Sequence, residues 1–124
     1  MATFDLNSLN VDDTTTVELV HPTTGDEIKG VSITVYGQDS ETYKAEQRKA
    51  EFQFAEYMRK HRNKPMPPEQ REAMDKRKAV ACIKSVNGLV NDGVPVTAEA
   101  AMDVPWIFEQ VTAAIFDRAL FIKG

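Results

Sequence analysis

Two short stretches near the start of the chain alternate apolar and polar residues. Val17 and Leu19 flank Glu18, and Val31, Ile33 and Val35 alternate with Ser32 and Thr34. A period of two marks strands with one buried and one solvated face. Between them, Pro22, Thr23, Thr24, Gly25 and Asp26 supply a fixed φ, side-chain turn hydrogen bonds and tolerance of positive φ. A β-hairpin over residues 14–37 is predicted.

From residue 40 the period lengthens. Asp39 or Ser40 can accept the free amide hydrogens at the start of a helix over about 40–62. There Tyr43, Gln47, Ala50, Phe54, Tyr57 and His61 recur at spacings of four and three and share one stripe. Pro65, Pro67 and Pro68 break the pattern, because each proline removes a donor and clashes with the preceding turn. The set Met74, Ala79, Ile83, Val86 and Val90 then predicts a second helix over 69–88, with Gly88 as its left-handed terminator. After the turn Asn91, Asp92, Gly93 and Pro95, Thr97 caps a short helix over 97–102. Pro105 opens a last helix over 105–122, with Phe108, Val111, Ile115 and Ile122 on one side. The expected fold is α+β and mainly helical: an N-terminal β-hairpin packed on three or four helices. Residues 1–13 read as an acidic flexible arm and residues 14–124 as a single domain.

Composition narrows this further. A chain of 124 residues buries ~65% of its unfolded surface, enough for one core. Hydrophobic residues at 42% and charged residues at 27% are ordinary for a globular domain. The single cysteine, Cys82, excludes an intramolecular disulfide and fits a reducing compartment. No apolar run reaches the ~18 residues of a membrane span, and the polar start does not read as a signal peptide. Charge is segregated. Residues 1–42 carry eight acids against Lys29, residues 43–84 twelve bases against six acids, and residues 85–124 five acids against two bases. Such blocks steer a partner or a neighbouring copy, or pair within the fold.

Reactive chemistry is thin. His21 falls at a turn and His61 at a helix end, with no further ligands at zinc-site spacing, so no metal and no cofactor are expected. Cys82, between Ala81 and Ile83, reads as a small buried side chain with no base beside it. The pairs Asp12–Asp13 and Asp26–Glu27 lie in loops, where nothing raises a carboxyl pKa for acid–base work. Phosphate-cradling glycine motifs are missing from the sequence. The run from Arg59 to Lys64, RKHRNK, is basic. Interleaved Glu46, Glu51, Glu56, Glu72 and Asp75 and a pI of about 5.2 argue against a nucleic-acid face. The expectation is a protein that binds rather than catalyses.

The order of these parts resembles the tail assembly chaperones of long-tailed bacteriophages, the small pre-tape-measure proteins of siphophages. The likeness rests on the strand near Asp13 to Val20, the turn HPTTG at His21 to Gly25 and the strand VSITVYGQDSETY at Val31 to Tyr43. A charged middle, a proline break and TAEAAMDVPWIFEQVTAAIFDRALF at Thr97 to Phe121 complete it. Where such proteins carry an aromatic or glycine–tryptophan pair near the second helix's end, this chain has Ser85, Val86, Asn87, Gly88 and Leu89. The resemblance implies a non-catalytic morphogenetic role in the host cell cytoplasm. Its partners would be the tape measure protein, kept soluble, and the tail tube protein, recruited to it. The chaperone would be absent from the mature virion, and a frameshifted, C-terminally extended form would accompany it.

Binding a long amphipathic helix calls for adaptable aromatic and methionine side chains beside charge. The candidates are Phe52, Phe54, Met58, Arg59, Lys60, Met66, Trp106 and Phe121. Self-association into a ring or filament through the acidic first third and basic middle is a further expectation. The alternatives are another phage structural or head–tail completion component, and a small nucleic-acid-binding protein.

Overall fold

The computed structural model describes residues 2–6 and 10–123. The strands Thr14–Val20 (β2) and Glu27–Tyr36 (β3) form the expected antiparallel hairpin, with Val17 opposite Ile33 and Thr15 opposite Val35. Ahead of them a two-residue strand, Asn10–Val11 (β1), runs antiparallel to Ile122–Lys123 (β7), so the end of the acidic arm is tied to the C-terminal segment. Met1, residues 7–9 and Gly124, all within the predicted arm and domain limits, lie outside the described residues.

The helix Glu41–Lys60 (α1) begins where the residues predict. The Ser40 hydroxyl accepts the Tyr43 N–H at 3.1 Å and donates to the Gly37 carbonyl at 2.7 Å, which leaves this buried serine satisfied. Past His61, Arg62 and Asn63 adopt positive φ, and the chain reverses into the helix Pro68–Ala81 (α2).

The predicted second helix over 69–88 is wrong in its last third. Residues Ile83–Asn87 form a strand (β4) on the free edge of β3, so the N-terminal hairpin is two-thirds of a sheet in the order β2-β3-β4. Ile83 sits opposite Val35 and Val86 opposite Ile33, with a bulge between. The extra residue brings two apolar side chains three apart onto the same face, the spacing that reads as helical in the sequence. Both are β-branched, and the unpaired edge of β3 supplies the partner that local periodicity does not show. Cys82 is therefore a junction residue. It donates to the Lys78 and Ala79 carbonyls at 3.1 Å and accepts the Tyr36 N–H at 2.7 Å.

Gly88 lies past this strand rather than capping a helix, and a small hairpin of Val90–Asn91 (β5) and Val94–Pro95 (β6) follows. Thr97 caps Ala98–Met102 (α3) by accepting the Ala100 N–H at 3.1 Å. Pro105–Ile115 (α4) is shorter than the predicted 105–122. Its last carbonyls are taken from the hairpin side: Gln38 donates its backbone N–H to Ile115 O and its side-chain amide to Phe116 O. Arg118 holds Asp39 with two hydrogen bonds at 2.7 and 3.1 Å. A 3₁₀ turn, Arg118–Leu120, then delivers Phe121 into the core.

Among the described residues the fold is thus α+β, with four α-helices and small antiparallel sheets. The core joins Leu19, Ile33 and Val35 of the sheet to Ile107, Val111, Ala114 and Ile115 of α4, with Ala79, Cys82, Ala101, Met102 and Phe121 around them. Thr16, Glu18, Ser32 and Thr34 form the sheet's polar register, with the Thr16 and Thr34 hydroxyls bonded at 2.9 Å. At the β2 edge the Gln110 amide exchanges two hydrogen bonds with the backbone of Val20, at 2.9 and 3.0 Å.

Candidate functional site: an apolar groove between α2 and α4

Helix α4 carries two adjacent stripes. Ile107, Val111, Ala114 and Ile115 are buried, while Phe108, Thr112 and Phe116 follow one another at i, i+4 and i+8 beside them. This second stripe is covered only in part: Phe108 and Thr112 are half-buried and Phe116 is exposed. Between the two helices lies a cavity of about 290 Å³ lined by Tyr43, Ala79, Cys82, Phe108, Thr112, Ile115 and Phe116, with Asp75 and Lys78 at its edge. Asp75 and Phe108 also line a neighbouring hollow of about 450 Å³, completed by Glu72, Lys76, Met102, Asp103 and Pro105. The two hollows thus adjoin into one groove running along α2 and α4.

The floor is ordered by its own contacts. Tyr43 and Phe116 meet edge to face, with centroids 5.6 Å apart, although Phe116 keeps 51% of its surface exposed. Lys78 donates to Gln47 at 3.0 Å and lies 6.0 Å from the Tyr43 ring centre. Lys76 pairs with Asp103. Burial pushes the Tyr43 phenol up, with smaller contributions from Cys82 and Asp75. Burial also pushes the Cys82 thiol up to about 11, an effect Glu46 adds to and Lys78 opposes. A thiol whose pKa is raised by burial is a weaker nucleophile and metal ligand than a free one at the same pH. The lining thus combines an apolar floor with the charged side chains Glu72, Asp75, Lys76, Lys78 and Asp103 at its edge.

The eight residues singled out from the sequence do not share this site. Phe52, Phe54, Met58, Arg59 and Lys60 all lie on the C-terminal half of α1, where Phe52 is 68% and Phe54 44% exposed but, two positions apart, on different sides of the helix. Arg59 pairs with Glu56 at 2.8 Å, and Phe52 and Lys60 line a shallow hollow with Tyr57 and His61, whose rings stack at 4.1 Å. Met66 and Phe121 are buried and offer no surface to a partner. Phe121 fills the space left by Gly37, where a Cβ would stand 3.0 Å from its ring. Trp106 is half-buried near the start of α4.

Sequence reasoning missed Tyr43, Phe108, Thr112 and Phe116 as a group. The available signal was the width of α4: apolar residues at 107, 108, 111, 114, 115 and 116 cover more of a helix than one sheet face needs. Among the described residues no cluster of histidine, cysteine and carboxylate side chains is placed to hold a metal, and no helix is long and apolar enough to cross a membrane. No protein-family model, no curated protein and no solved structure matches the chain.

Proposed function

We propose that this protein is a non-catalytic bacteriophage tail assembly chaperone. It binds the tape measure protein, keeps it soluble and recruits tail tube subunits during morphogenesis in the host cytoplasm, then leaves before the virion matures. The observation that carries the reading is the open groove between α2 and α4, with aromatic side chains on its floor. A groove of that kind takes the apolar stripe of an amphipathic helix, the form in which a long helical client exposes itself before assembly. The sequence resemblance supplies the identity of the client.

In this reading the N-terminal hairpin, packed on the helices, is the scaffold that holds the groove open. The exposed Phe52 of α1 adds a second apolar contact beside the exposed Lys60. Copies associate head to tail through the acidic first third and the basic middle, which repeats the groove along an extended client. Co-expression with tape measure fragments from the same genome, followed by affinity capture and sizing, tests the reading. The expected result is a soluble multi-copy complex with fragments that precipitate alone. Fragments that precipitate with none of this protein bound would overturn it.

A further inference from the structure

We infer that the helix taken by the α2–α4 groove carries basic residues along the flanks of its apolar stripe. This rests on the groove reading and adds the electrostatic character of the occupant. On the α2 wall, Glu72 and Asp75 stand one turn apart, and neither has an ion pair among the described residues. Of the cations on that wall, Lys76 is paired by Asp103, while Lys78 is held by the neutral Gln47 amide and keeps its charge.

The opposite wall has no cation at all. Helix α4 reads PWIFEQVTAAI, without lysine or arginine, and its exposed Glu109, outside the lining itself, sits on the turn between the lining residues Pro105 and Thr112. Over the whole lining Glu72, Asp75 and Asp103 outnumber Lys76 and Lys78, so the rim of the apolar floor carries a net acidic charge. An occupant with lysine or arginine flanking its apolar stripe gains contacts on each wall, and one with glutamate there is repelled. The pairs stay at a solvent-exposed rim, so each contributes modestly and screens with salt.

The test uses three amphipathic peptides with one shared leucine–phenylalanine stripe and flanks of lysine, glutamine or glutamate, read by fluorescence anisotropy on the full chain. At about 50 mM salt the lysine peptide should bind about fivefold tighter than the glutamine peptide, and the glutamate peptide weakest, with the spread collapsing near 500 mM. Glu72→Gln with Asp75→Asn should narrow the lysine–glutamine gap to less than about twofold, and Thr112→Arg should abolish binding of all three. Equal affinities that Thr112→Arg abolishes would overturn the inference and leave the groove reading standing. Tightest binding by the glutamate peptide, unaffected by Thr112→Arg, would place docking on the basic end of α1 and overturn the inference. Self-association of the protein alone that Thr112→Arg abolishes would show a second copy in the groove and overturn it too. If no peptide binds, the groove reading fails and the inference with it.

Discussion

Replacing Gly88 by alanine should destabilise the protein severely, for a reason specific to the third strand. Gly88 has φ +75°, a region where a side chain costs about 1–2 kcal/mol by itself. Its Cβ would stand 2.0 Å from the Gly30 carbonyl oxygen and 3.0 Å from the carbonyl carbon. An ordinary carbon–oxygen contact is about 3.3–3.6 Å, so the backbone on one side must retreat by more than a side-chain adjustment allows. Such a retreat loosens the end of the β3–β4 ladder, where Asn87 faces Ser32 and Val86 faces Ile33. With one or two ladder hydrogen bonds at about 1 kcal/mol each, the total is about 2–4 kcal/mol. Gly93 is the control: its φ is +81°, but nothing lies within 4 Å of its added Cβ. Gly93→Ala should cost only the conformational term, about 1–2 kcal/mol. Urea titration followed by circular dichroism measures both, with midpoints compared at unchanged slope. Thermal midpoints should fall by about 3–5 °C per kcal/mol in a chain of this size. Equal costs at the two glycines would refute the reasoning, because that is what Gly88 as a plain helix terminator requires.

Further outcomes follow from the other contacts. Gln110→Ala leaves the Val20 N–H and carbonyl without their side-chain partner and should cost about 1–3 kcal/mol in the same titration; a loss below about 0.5 kcal/mol would mean water replaces the amide freely. Arg118 holds the Asp39 carboxyl below its ordinary value, chiefly by hydrogen bonding. The pair therefore stabilises the fold above the usual carboxylate range, and that contribution is lost as pH falls through the lowered value. Asp39→Asn should accordingly be less stable than the parent at neutral pH and converge with it in acid, once the Asp39 carboxyl is protonated; a gap that persists unchanged in acid would contradict the pairing. Cys82, buried and with its thiol pushed up to about 11, should resist alkylation at pH 8 and react only as urea unfolds the chain. Rapid labelling of the native protein would show that α2 opens locally at its junction with β4.

The parts of this fold that depend on neighbours in sequence were legible in it. Alternation at Val17, Leu19, Ile33 and Val35 marks the hairpin, and the caps at Ser40 and Thr97 act as their side chains predict. The parts decided by distant contacts were not. A bulge lets Ile83 and Val86 face one way in a strand, so their spacing imitates a helix. The end of α4 is set by Gln38 and Asp39, about eighty residues earlier in the chain, which no local pattern near Ile115 encodes. The groove was hidden for the same reason: its lining comes from α1, α2 and α4, and only their packing leaves Phe116 exposed and Phe108 half-buried along it. Residue type alone overstated Met66 and Phe121, which the core absorbs.

Hydrogen exchange on the chain, alone and in complex with a soluble tape measure fragment, tests the groove most directly. Residues 75–81 of α2 and 108–115 of α4 should gain protection in the complex while the β2–β3 turn near Gly25 stays unchanged. Protection confined to the exposed face of α1, with α2 and α4 exchanging as they do alone, would contradict the account.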